Sequence, residues 1–357
     1  MLNVPSPSLR ERANEFAAKK RCPPALTRLP LQRRRRPTIF FGCDFIRLSL
    51  FQLPLLALGL SGCRGGSSTS VREQAKSQVW GSKGAKLDQF KGPRAIVAAK
   101  DGFVYVADRA SRISKWTQDG KCVQNWIAPV VRNGRFEGPE GITDLPDGDL
   151  AVTNTHASRV LIYSSNGVLK SQFGSYGTAC GQFLLVTGIC ADKDGNIYCA
   201  DYGGTFDRVS KWTKSGRLLA SWPGHGEGPR QFRRPCGLAF SKAGDLLVAD
   251  IGNHRVQILD KNTGAYKGQF SVRGRGNGQM TYPYGVAVDR DGFIYTVEYS
   301  LHRVQKWSSD GKKWLATWGS PGRLPGQLAN PWGLTVDEKG NVYVADTNND
   351  RVQKFHF

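Results

Sequence analysis

An arginine followed by isoleucine or valine occurs six times in this chain, at Arg112-Ile113, Arg159-Val160, Arg208-Val209, Arg255-Val256, Arg303-Val304 and Arg351-Val352. The intervals are 47, 49, 47, 48 and 48 residues. So regular a period makes each interval one supersecondary unit, and it constrains the fold more than any other feature of the 357 residues.

Each unit has the same internal grammar. In residues 283–319 an apolar run, Gly285 to Val288, leads to Asp291-Gly292 and a second run, Phe293 to Val297. Arg303 to Trp307 follows, then Asp310-Gly311 and Trp314 to Trp318. Asp-Gly between alternating runs reads as a two-residue hairpin turn, so the unit is a four-stranded antiparallel meander. A lone sheet of this size leaves both faces and an edge exposed. Six of them around an axis bury the faces, which predicts an all-β, six-bladed β-propeller, and no segment has a helical period. The last unit stops at its third strand, Arg351 to Phe355, while Ser77 to Gly81 matches Leu315 to Gly319 of the unit before it. The N-terminal strand is therefore predicted to complete the C-terminal blade, and the propeller to span residues 77–357.

The phrases Pro-x-Gly-[apolar]-Ala-Val-Asp, Tyr-Val-Ala-Asp and Asn-His-Arg-Val-Gln resemble the NHL repeat, best in Pro235 to Gln257 and Pro331 to Gln353. The resemblance implies the propeller fold. It leaves function open, because that repeat serves RNA-binding proteins, ubiquitin ligases, sensor domains of bacterial kinases and amidating lyases.

Residues 48–60, LSLFQLPLLALGL, are too short for a membrane-spanning helix, which needs about 20 apolar residues, but have the length of a signal-peptide core. Arg33 to Arg36 and Arg47 precede the run, and Leu60-Ser61-Gly62-Cys63 ends it. This order resembles the bacterial lipobox, which implies that Cys63 is lipidated and becomes the first residue of an exported protein, held to a membrane on its periplasmic or cell-surface side. Residues 1–63 are then an extension and signal peptide, and 64–76 a polar tether. A start codon assigned too early, with residues 1–30 untranslated, would explain the long stretch before the apolar run.

Of the formal charge of +21, residues 1–63 carry +8 (eleven Lys/Arg against three Asp/Glu) and the remainder +13. A basic surface is compatible with anionic lipid, glycan or nucleic acid, and is also common on a soluble domain with no charged partner. A protein or glycan partner is expected and nucleic acid is not, since an exported lipoprotein seldom meets RNA; the propeller is expected to be monomeric.

Two rings of residues gather at the end of the propeller opposite the Asp-Gly turns. The first, Arg94, Glu140, Thr187, Cys236, Tyr284 and Trp332, varies on a repeated frame and is the candidate binding rim. The second, Asp108, Asn154, Asp201, Asp250, Glu298 and Asp346, faces the repeat arginines and reads as scaffold. These features favour a non-enzymatic binding module that presents a propeller face to a protein, glycan or small ligand, with no catalytic residue singled out and no cofactor expected. The alternative is a metal-dependent lyase or hydrolase of the amidating-lyase type at the channel mouth, with His156, His254 and His302 as candidate ligands for zinc or calcium. No paired Cys-x-x-Cys spacing supports a ubiquitin ligase. Cys190 and Cys199 flank Asp194-Gly195 symmetrically and are expected to face each other across a hairpin, either as a disulfide or as two small core thiols.

Overall fold

A computed structural model describes residues 77–129 and 138–357. The signal-peptide core, Cys63 and the tether lie outside the described residues. The rest is a six-bladed β-propeller of four-stranded antiparallel sheets. Strands Pro93–Ala98, Phe103–Asp108, Arg112–Thr117 and Cys122–Ile127 form blade 1, and blades 2 to 5 begin at Pro139, Leu185, Pro235 and Pro283. Blade 6 has Leu334–Val336, Asn341–Asp346 and Arg351–His356, with Gln78–Trp80 as its outermost strand.

The predicted seam is therefore present. Gln78 pairs with Lys354, Val79 with Gln353 and Trp80 with Val352. Trp80 is buried between blades 6 and 1, its ring 5.4 Å from that of Tyr343 and 6.3 Å from that of Trp116. Alternation along each strand sends one set of apolar side chains to each neighbouring blade, so the core is a series of interblade layers rather than one mass.

The hairpins differ from the expected two-residue turns. Gly195 donates to the Asp192 carbonyl, Asp192 to that of Asn196, and of the Asp-Gly pair only Gly195 has a positive φ, +79°. This is a three-residue loop with its glycine in the left-handed region, and its centre lies half a residue earlier than that of a two-residue turn. Cys190 consequently pairs with Tyr198, and Cys199 with Ile189. A one-residue slip flips side chains to opposite faces. Cys199 packs against blade 2 and Cys190 against blade 4, both as buried free thiols, which corrects the expected pairing.

Candidate functional site

The repeat arginines and the carboxylates before them form interblade clasps. In blade 4, the buried Asp250 accepts from Arg233 N at 2.7 Å, Asn253 Nδ2 at 2.8 Å and Arg255 Nε at 3.0 Å. Arg255 Nη2 in turn donates to the carbonyls of Gly228 at 2.8 Å and Gln231 at 2.9 Å. Equivalent pairs join Asp108 to Arg112, Asp201 to Arg208, Glu298 to Arg303 and Asp346 to Arg351. These pairs are buried rather than exposed, and each pins the loop that brings the chain into its own blade. Blade 2 departs from the pattern. Asn154 donates to the Pro129 carbonyl, and Arg159 bonds Gln172; the sequence before blade 2 lacks the glutamine followed by Phe, Met or Leu that precedes the other five.

The residue before the repeat arginine latches the next blade. Asp350 Oδ1 accepts Gly92 N at 2.7 Å, Asp207 Oδ2 accepts Arg234 N at 3.2 Å, His254 Nδ1 accepts Tyr282 N at 3.1 Å and His302 Nδ1 accepts Asn330 N at 2.9 Å. Both histidines therefore act here as neutral acceptors, and burial lowers the pKa of each. His156 lies on a short 3₁₀ turn, Thr155–Ala157, in blade 2. Among the described residues no group of three or more His, Cys, Asp and Glu side chains is arranged to hold a metal ion.

Five of the six candidate rim residues meet around one cavity at the channel mouth, Thr187 being the exception. Thr187 is buried and donates to the Pro235 carbonyl at 3.1 Å. The others close on one another. Arg94 ion-pairs with the buried Glu140 and lies 4.5 Å above the Trp332 ring, which meets the Tyr284 ring edge-on at 4.4 Å. Among the described residues Arg94 Nε, Glu140 Oε2 and Trp332 Nε1 have no hydrogen-bond partner. Burial raises the pKa of Glu140 against the opposing pull of Arg94, Arg234 and Arg109. Cys236 is 3% exposed, and burial pushes its thiol up to about 12, so it is no ready nucleophile.

The glycine of Pro-x-Gly explains this closeness. A Cβ at Gly188 would overlap the Cys236 carbonyl oxygen, one at Gly141 that of Thr187, and one at Gly333 that of Arg94. Inner strands thus approach backbone to backbone, leaving a cavity of about 80 Å³ at the mouth.

Two features were missed from sequence. Around the mouth, the loop face carries ten exposed Lys/Arg among the described residues: Lys83, Lys86, Lys91, Arg109, Arg230, Arg233, Arg234, Arg273, Arg275 and Arg323. Among the described residues only Asp88 and Glu227 are exposed acids there. Tyr176, Val272 and Leu324 stand among them, 75%, 62% and 67% exposed. At the opposite end the channel widens to a cavity of about 370 Å³. Adding up loop charges by face would have found the first; the second depends on how closely six strands approach.

Residues 232–259 and 328–355 match the NHL repeat family model. NHL repeat-containing protein 3 of Homo sapiens is 30% identical over 202 residues, 52% of this chain and 56% of that protein. Its Mus musculus counterpart is 31% identical over 199 residues, 51% of this chain and 56% of that protein. The chain spans about half the length of these curated relatives. Among solved structures, a streptogramin B lyase superposes with a TM-score of 0.54 at 14% identity, covering 78% of this chain and 96% of that one. A putative gluconolactonase gives 0.57 at 18%, covering 79% and 92%. At such identities the likeness shows the fold alone. The chain is thus a six-bladed propeller in which residues 232–259 and 328–355 match the NHL repeat.

Proposed function

We propose that this NHL-repeat propeller is a binding module whose loop-rich face receives an anionic partner, a protein or acidic glycan. The observation that carries the reading is the charge of that face, ten exposed cations to two exposed acids among the described residues. Exposed aromatic and aliphatic side chains beside those cations supply the contact that charge alone does not. The repeated polar groups bind the scaffold together, so recognition falls to the residues that vary. In this reading Cys63 carries the lipid, and the tether joins the propeller at Gln78, at the hairpin-turn end of blade 6.

The test is binding of the full-length chain to poly-glutamate and poly-lysine, followed by surface plasmon resonance at increasing salt. Poly-glutamate should bind with an affinity that falls as salt rises, and Arg230→Glu with Arg233→Glu and Arg275→Glu should weaken it at least tenfold. Equal response to both polymers would overturn the proposal.

A second reading, a lyase or hydrolase at the channel mouth, draws on Glu140, a buried carboxyl with an unpartnered oxygen beside Arg94, Arg109 and Arg234. Stoichiometric zinc or calcium in the purified chain, lost on His156→Ala, would favour it.

A further inference from the structure

The wide end of the channel is independent of the loop face and has its own chemistry. Ile96, Ile142, Ile189, Leu238, Val286 and Leu334, one from each innermost strand, line both the mouth cavity and the wide cavity. They are 5–7% exposed, so they form an apolar collar that narrows the channel. Two residues further along each of these strands come Ala98, Asp144, Ala191, Phe240, Val288 and Val336, all lining the wide cavity. In this layer one wall position is charged, and it is Asp144.

Among the described residues Asp144 has no cationic side chain within 4 Å; the Lys100 backbone N–H donates to its Oδ2 at 3.4 Å. Burial raises its pKa. Lys100, Asp192 and Lys193 also line the cavity; the two lysines are exposed, and the buried Asp192 pairs with Lys211 at 3.7 Å. A partly desolvated carboxylate above an apolar floor gains most from a cation that brings its own apolar body. The volume, about 370 Å³, falls within the range of small-molecule sites and equals the room of about a dozen waters at ~30 Å³ each.

We propose that the wide end of the channel is a binding site for a small hydrophobic amine, its apolar body on the aliphatic collar and its ammonium donating to the Asp144 carboxylate. The six-fold frame supplies the apolar well, and in the layer next to the collar blade 2 alone supplies a charge. Blade 2 is also the blade whose clasp departs from the others, so this charge falls where the repeat pattern is already broken.

The test is isothermal titration of the full-length chain with hexan-1-amine, hexan-1-ol and hexanoate. The amine should bind once per chain and about tenfold or more tightly than either other probe, as a charge-assisted hydrogen bond predicts. Asp144→Asn should abolish that preference and Asp144→Glu should keep it, with the far-ultraviolet circular dichroism of both unchanged. Equal binding of the three probes, binding of none, or a preference that survives Asp144→Asn would overturn the proposal. None of these results bears on the loop face, which the polymer experiment addresses separately.

Discussion

Replacing Trp80 by alanine tests whether the seam carries the same load as an ordinary blade. Trp80 occupies the outermost strand of blade 6, and Trp318 the matching position of blade 5. Each is 5% exposed and each buries an indole nitrogen that has no partner among the described residues. Trp80 packs against Tyr343 and Trp116, and Trp318 stacks on Phe355 at 3.6 Å. Truncating a buried tryptophan to alanine costs about 3–5 kcal/mol. At roughly 2–4 °C per kcal/mol in a domain of this order of size, either variant should lower Tm by about 10 °C. The decisive quantity is the comparison, because the Trp80 strand has three residues and joins the propeller from the far end of the chain. Differential scanning calorimetry of the full-length chain and both variants gives it directly. If Trp80→Ala shifts Tm by under about 2 °C while Trp318→Ala shifts it fully, the closure argument is falsified, and blade 6 must be stable with three strands.

Gly188→Ala should destabilise by about 1–3 kcal/mol or more, because its Cβ would overlap the Cys236 carbonyl oxygen of the next blade, whereas Gly102→Ala has nothing within 4 Å and loses only what a left-handed glycine costs to replace. Urea midpoints of the two variants measure this, and similar midpoints would count against close backbone approach at the channel mouth. The lowered pKa values of His254 and His302 make a pH prediction. A histidine held neutral on folding contributes stability that is present above its unfolded pKa of about 6.5 and lost as pH falls through the folded value. The double variant His254→Asn with His302→Asn keeps a side-chain acceptor at a left-handed position, so its Tm should fall less than that of the native chain between pH 7 and pH 5. An unchanged slope would show that the two imidazoles titrate as they do in the unfolded chain.

The blade count, the strand order within each blade and the seam through Gln78–Trp80 were legible because they rest on local signals repeated six times. An alternating run, a glycine turn and a fixed interval need no knowledge of which blade touches which. The hairpin register was not legible, because Asp-Gly fits a two-residue and a three-residue loop alike. The one-residue difference separates Cys190 from Cys199. The same limit applied to the histidines. Their place before the repeat arginine was visible, but the backbone N–H that each accepts lies 28 residues away, in the next blade.

The sequence by itself determined that this chain closes six sheets into a ring and where the ring is joined, since periodicity and burial admit no other way to cover the faces. It also picked out the inner ring, and five of those six residues do meet. Only the tertiary structure decided that they pack against one another around a narrow mouth, that the exposed charge gathers on the loop face, and that the channel opens at its other end beside Asp144. Those facts depend on how closely neighbouring inner strands approach. That approach is set by backbone contacts such as Gly188 against Cys236, between residues about 48 apart, which no local pattern records.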